Sequence, residues 1–105
     1  MRVIYKEPGK DAEVRNIDYT LKTLQNLVNG YIEHLELAPG RLGLIVNEEG
    51  KLNDMKKNFF LVSHNDTIFG PAIFVGEAGE EFTDISDEDA MLVMEYLRWQ
   101  AVQEG

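Results

Sequence analysis

The alternation of apolar and polar residues predicts a small sheet organised around one stretch of the chain, Leu42–Leu52. Apolar side chains recur at every second position of its first five residues, LGLIV, as in a strand with at least one buried face. The polar residues that follow are closed by Gly50, which predicts a type I turn ended by a left-handed glycine. We therefore expect a central hairpin in which residues 51–53 pair back across this turn.

Similar patterns predict the other strands. Residues 2–6 and 12–17 flank a Pro-Gly turn and predict a first hairpin. Residues 31–37 alternate and lead through another Pro-Gly turn into the Leu42 strand, which predicts a second hairpin. Residues 72–75 are typical of a buried strand. The apolar run at 59–62 is either a strand or a buried loop, because its periodicity does not distinguish the two.

Two segments have the spacing of amphipathic helices. Leucines three residues apart predict a helix over about residues 19–29, begun by Asp18 and ended by Asn29. A second helix is predicted over about residues 87–103, with Ser86 as its N-cap.

Together these elements predict an α+β fold with one mostly antiparallel sheet of five or six strands and two helices. A chain of 105 residues, 44% of them hydrophobic, is typical of one globular domain, so we expect residues 1–105 to fold as a single unit. The second helix is expected to pack on the same face of the sheet as the first, or to extend to a neighbouring molecule.

The second predicted helix carries apolar residues on two sides. The stripe expected to face the core consists of Ala90, Val93, Met94, Leu97 and Ala101. Leu92, Tyr96 and Trp99 fall on nearly the opposite side. A helix on the surface of a two-layer domain needs only one apolar stripe. The second stripe is therefore covered either by the phenylalanine-rich segment 55–70 or by another chain, and a homodimer through this helix is one such arrangement.

Charge and composition exclude several classes of protein. The net charge is −9 and the ten basic residues are scattered, whereas a nucleic-acid-binding protein needs a concentrated positive surface. No apolar run is long enough to span a membrane, and the N-terminal residues lack the apolar region of a signal peptide. The absence of cysteine excludes disulfides, a thiolate nucleophile and a cysteine-based zinc site. We expect a cytoplasmic protein that contacts neither nucleic acid nor membrane directly.

Three segments, LVNGYIE, NEEGKL and GPAIFVG, in that order, resemble the family catalogued as domain of unknown function 3846. The resemblance covers about residues 2–89. Such domains occur mainly in Gram-positive bacteria, their phages and other mobile elements, so the resemblance implies an α+β fold and a phage or mobile-element setting. The family has no assigned activity, and the resemblance therefore implies no catalytic residue.

The residues that could carry chemistry are few. A zinc site needs three or four ligands, and His34 with Glu36 on one strand face supplies only two. A paired surface histidine is the simpler interpretation. The acidic segment 77–89 lacks the ligand spacing of a calcium loop, and the chain contains neither a phosphate-binding loop nor a nucleophile elbow. We therefore expect no metal, no cofactor and no enzymatic activity.

Two functional hypotheses follow from these observations. In the first, the chain is a small soluble, non-enzymatic accessory protein that binds an unknown protein partner through its acidic surface or through Leu92, Tyr96 and Trp99, because aromatic anchors with polar surroundings are typical of interface cores. In the alternative, it is a small-molecule binding module for a nucleotide-like ligand. The polar residues expected to contact that ligand are Asn53, Asn58, His64 and Asn65.

Overall fold

The computed structural model describes residues 1–104, and side chains as far as residue 103. Within this part of the chain there are eight strands, two α-helices and one 3₁₀ turn (Val62–His64). In chain order they are β1 (Arg2–Lys6), β2 (Glu13–Asn16), α1 (Leu21–Val28), β3 (Ile32–Ala38), β4 (Leu42–Asn47), β5 (Lys57–Leu61), the 3₁₀ turn, β6 (Asp66–Phe69), β7 (Ala72–Ala78), β8 (Glu81–Thr83) and α2 (Asp87–Glu104).

The strands form one large antiparallel sheet and one small one. The large sheet has the order β2-β1-β7-β4-β3, and β8 extends it by pairing with one end of β7. Within residues 1–104, β5 and β6 pair only with each other. The predicted α+β class, with a mostly antiparallel sheet and two helices, is confirmed.

Both predicted N-terminal hairpins form. β1 pairs with β2 so that Ile4 lies opposite Val14, and β3 pairs with β4 so that Leu35 lies opposite Leu44. Residues 59–62 were compatible with a strand or a buried loop. They form a strand, β5, which ends at Leu61. β4 lies between β3 and β7 and all of its residues are buried, so its place inside the sheet agrees with the expectation.

The predicted hairpin after β4 is wrong. Residues 51–53 do not pair back; they belong to a series of turns over residues 48–54. Gly50 does not have a positive φ, so the left-handed conformation expected there is also wrong. A close approach explains the glycine instead, because a Cβ atom at Gly50 would lie 2.5 Å from the carbonyl oxygen of Phe69.

The close approach at Gly50 leads to a prediction based on steric overlap, not on a left-handed conformation. Gly50→Ala is expected to lower the free energy of unfolding by about 1–3 kcal/mol, because the methyl group meets backbone that has no alternative rotamer. Urea denaturation would measure this loss. Lys51→Ala, which changes an exposed neighbour, is the control and should have a smaller effect; equal midpoints for the two variants would contradict the packing assignment.

The large sheet is covered on both faces. On one face, Ile4, Leu44 and Phe74 pack against α2 and the β5–β6 hairpin. On the other, Val3, Ile45 and related residues pack against Leu24 and Val28 of α1, which cover that face. The expectation that α2 shares a face with α1 is therefore wrong. A strand such as β4 alternates its side chains between two cores, and each core needs its own helix.

The helix ends are set by local hydrogen bonds. The α1 N-cap is Thr20, whose hydroxyl accepts from the Thr23 amide, so the assignment of Asp18 as the cap is wrong. Asn29 ends the helix with a φ of 62°, as predicted. At the start of α2 the Ser86 hydroxyl accepts from the Asp89 amide, which confirms the predicted cap.

Candidate binding surfaces

One side of α2 exposes large apolar side chains to solvent. We call this side the α2 outer face and define it by Met91, Leu92, Trp99 and Val102, which are respectively 65%, 50%, 52% and 72% exposed. Their spacing places them on one side of the helix, over about 16 Å of its length. The opposite side is buried through Val93, Leu97 and Gln100. The outer face is therefore apolar surface beyond what the fold itself uses.

Tyr96 behaves differently from the other members of the predicted second stripe. Its hydroxyl donates to the Phe60 carbonyl and accepts from the Val62 amide at 3.1 Å. Gln100 reinforces the same contact, since its side-chain amide reaches the Tyr96 hydroxyl and accepts from the Phe60 amide. The 55–70 segment thus covers Tyr96 but leaves Leu92 and Trp99 half exposed, so the first of the two alternatives holds for Tyr96 alone.

A groove of about 550 Å³ runs beside the outer face, between α2 and the β1–β2 hairpin. Its apolar lining comes from Val14, Ala90, Met91 and Met94. Charged residues surround this lining. Among them, the Arg2 guanidinium forms an ion pair of 2.9 Å with Asp87. Because Met91 belongs both to the groove and to the outer face, the two form one continuous surface.

A second cavity, of about 450 Å³, lies between one end of the β3–β4 hairpin and the β5–β6 hairpin. We call it the β3 cleft. Its apolar lining includes Leu35, Val46, Ile68 and Phe69. Its ionisable lining residues are Glu33, Glu48, Glu49, Lys51, His64 and Asp66.

Lys51 of this cleft already forms an ion pair with a carboxylate. Its ammonium forms an ion pair with Asp66, and the hydrogen bond from Lys51 holds the pKa of the Asp66 carboxyl below its ordinary value. With that pair neutralised, the carboxylates of Glu33, Glu48 and Glu49 give the cleft a negative charge. This charge opposes the binding of a phosphate-bearing ligand.

The four predicted ligand contacts lie in different local settings. Asn58 is buried and donates to the carbonyls of Lys6 and Gly70, at 2.9 and 2.8 Å, so it joins three segments of backbone. Asn65 adopts a left-handed conformation at the end of the 3₁₀ turn, and Asn53 is exposed in the turns after β4. Only His64 lines the β3 cleft. Of the four predicted contacts, Asn58 is thus engaged within the fold, and His64 is the one that lines a cavity among the described residues.

A histidine–glutamate pair crosses the α1 face of the sheet. His34 on β3 lies 2.6 Å from Glu77 on β7, measured between Nε2 and Oε2, and the Glu77 side chain is only 6% exposed. β4 runs between these strands, and a Cβ atom at Gly43 would overlap both side chains. His34 is thus a paired histidine, as expected, and its partner is Glu77.

The pair is a link between strands and not part of a larger polar site. The ring of Phe82 meets His34 edge-on, with the ring centroids 5.0 Å apart. Among the described residues, no group of three or more histidine and carboxylate side chains could hold a metal ion. Sequence reasoning missed Glu77 because 43 positions separate it from His34; the isolated Gly43 inside a strand was the available signal for a close approach.

Comparisons with known proteins place the chain in a family. A family model described as "Domain of unknown function (DUF3846)" matches residues 1–98, which include all eight strands, α1 and most of α2. Neither a curated protein nor a solved structure matches the chain. Over the described residues, no helix is long and apolar enough to cross a membrane. The match spans far more than half of the sequence, and the chain therefore belongs to the DUF3846 family.

Proposed function

We propose that this chain is a non-enzymatic binding protein that recognises a protein partner through the α2 outer face and the adjoining groove. The observation that carries the proposal is the half-exposed Trp99 in line with Leu92 and Val102, on a helix whose opposite side already fills the core. Contiguous apolar surface of this kind marks interaction sites in soluble proteins.

The chemistry of the surface fits a protein partner. Tryptophan is among the residues that contribute most to binding at interfaces, and the Tyr96 ring beside Trp99, with centroids 6.3 Å apart, restricts its movement. The flexible methionines at positions 91 and 94 can adapt to the partner's shape. This arrangement favours an apolar anchor on the partner that inserts beside α2.

Charge indicates which kind of partner is favoured. Glu88, Glu95 and Arg98 are exposed on the same side of α2 as the apolar residues, and the whole chain carries a net charge of −9. A partner with basic residues around an apolar centre would be attracted and oriented by this field. The proposal includes a cytoplasmic location and a phage or mobile-element setting; the setting rests on the family resemblance alone.

The engagement of both histidines supports a non-enzymatic role. His34 is bound to Glu77 on the α1 face of the sheet, opposite to the face on which Glu33 and Leu35 line the β3 cleft, and His64 lies 2.9 Å from the Ser63 hydroxyl. Each ring therefore has a structural neighbour.

The experiment compares Trp99→Asp with wild type. Because the side chain is 52% exposed, the variant should still fold, with a loss of about 1–3 kcal/mol in the free energy of unfolding, while affinity for the partner should fall by about 2 kcal/mol or more, as expected for an interface anchor. Proteins from the host cell that bind wild type and are lost with Trp99→Asp would be purified, and their affinity measured directly. Sedimentation of both variants would show whether the partner is a second copy.

A matched control keeps this test specific. Leu21→Asp places the same charge at an exposed leucine of α1, outside the α2 outer face and the β3 cleft, and should retain the partner. A partner lost equally with both variants would contradict the proposal. So would unchanged binding and unchanged mass for Trp99→Asp.

A further inference from the structure

The outer edge of β3 is open. β3 is the last strand on its side of the large sheet, and within residues 1–104 no strand pairs with its outer edge. It is also one of the two longest strands, at seven residues. An open edge is a template onto which an extended peptide can add by backbone hydrogen bonds.

The β3 cleft lies beside this edge, on the α2 face of the sheet. Glu33 and Leu35 line the cleft, and they lie opposite Val46 and Leu44, which belong to the core on that face. A strand added to β3 would run about 4.8 Å away, with alternate side chains on the same face as Glu33 and Leu35. Those side chains would reach the mouth of the cleft.

The lining of the cleft selects a cationic side chain with an apolar stem. Glu33, Glu48 and Glu49 supply negative charge, while Leu35 and Phe69 supply apolar surface. Lysine and arginine combine an aliphatic stem with a terminal cation, so they match both parts of this lining. Neutral or acidic side chains would leave the carboxylates without counter-charge.

The same charges disfavour a second copy of this chain at the edge. Two β3 strands paired edge to edge would bring Glu33 and Glu36 of both copies together, and like charges on adjacent strands destabilise pairing. The register shift between Glu36 and Ala38 further disturbs the C-terminal end of the strand. The usable edge is therefore the stretch 32–36, which a basic strand can approach and an acidic one cannot.

We propose that the β3 edge binds an extended, basic segment of a partner protein by strand addition, with a lysine or arginine side chain in the β3 cleft. This surface is separate from the α2 outer face, so it goes beyond the function proposed above and does not depend on it.

The test uses a blocked peptide of alternating lysine and threonine, added to the isotope-labelled full chain. The expected result is a change in the amide signals of residues 32–36 and 48–52, together with slower amide exchange in β3. Slower exchange reports backbone pairing, which electrostatic attraction alone would not produce. The same peptide with glutamate in place of lysine should not bind.

Variants connect the binding to the cleft. Combining Glu33→Gln, Glu48→Gln and Glu49→Gln should weaken peptide binding at least about tenfold. The matched control removes three exposed carboxylates elsewhere, with Glu80→Gln, Glu88→Gln and Glu95→Gln, and should have a much smaller effect. Trp99→Asp should leave peptide affinity unchanged, which separates this site from the α2 outer face.

Several results would overturn the inference. An equal loss with both triple variants would mean that only the overall charge attracts the peptide. Unaltered exchange in β3 at saturating peptide would exclude strand addition. Spermidine giving the same signal changes and displacing the peptide with equal affinity would identify a small-polyamine site instead.

Discussion

Phe59→Ala is expected to lower the free energy of unfolding by about 3–5 kcal/mol. Phe59 is 1% exposed and stacks on Phe74, with the ring centroids 5.7 Å apart. It belongs to the small β5–β6 sheet, whereas Phe74 belongs to the central strand of the large sheet. Since β5 is also held by the Tyr96 and Gln100 hydrogen bonds, it cannot easily collapse into the space left by the missing ring.

Urea denaturation followed by the fluorescence of Trp99 would measure this loss. Val62→Ala, at a residue that is 57% exposed on the same side of the molecule, is the control and should change the free energy by less than about 1 kcal/mol. If the two variants unfolded at the same urea concentration, Phe59 would not join the two sheets as described.

Gly76→Ala is expected to have the second largest effect, a loss of about 3 kcal/mol. Gly76 lies inside the large sheet, opposite Leu42 on one side and Thr83 on the other. A Cβ atom there would overlap the backbone carbonyl oxygen of Asp84. Backbone held by pairing on both sides has no rotamer change that could relieve this overlap, so β7 and β8 would have to separate.

Gly79→Ala is the matched control for this prediction. Gly79 has a φ of +66° and no atom within 4 Å of a Cβ position, so alanine there meets only the strain of a left-handed conformation, about 1–2 kcal/mol. Thermal unfolding of both variants would rank them. If Gly76→Ala were as stable as Gly79→Ala, the close approach of Gly76 to the Asp84 carbonyl would not be what requires glycine at this position.

The parts of the fold predicted correctly have signals that lie close together in the sequence. The first and second hairpins are each encoded by alternation on both sides of a Pro-Gly turn, and Asn29 and Ser86 mark helix ends within one turn of the residues they cap. Their hydrogen bonds connect near neighbours, so the local pattern is sufficient.

The errors arise where distant segments decide the structure. Gly50 looked like a turn glycine, but its role is set by the backbone of Phe69. β8 forms within the acidic segment 77–89, for which no strand was predicted, because its partner in residues 1–104 is one end of β7 and its side chains are mostly solvated. The position of β1 between β2 and β7 likewise depends on residues about 70 positions away.

In the candidate surfaces, too, the features with a local signal were predicted and the contacts between distant segments were not. The exposure of Leu92 and Trp99 follows from the second apolar stripe on the helix, which the sequence displays. The hydrogen bond of Tyr96 to Phe60 and the pair of His34 with Glu77 join positions 36 and 43 residues apart, and a single sequence carries no signal for them. The β3 cleft is formed by two hairpins that the sequence does not relate to each other.

The place of β7 has a consequence for synthesis of the protein on the ribosome. β7 pairs with β1, β4 and β8, so the two earlier hairpins have no strand in common until it leaves the exit tunnel. During translation the two hairpins would emerge as separate units with unpaired edges. Their apolar faces would stay exposed until β7 pairs with both. Assembly of the large sheet is therefore a late, post-tunnel event, and nascent chains arrested before residue 72 would be targets for chaperones.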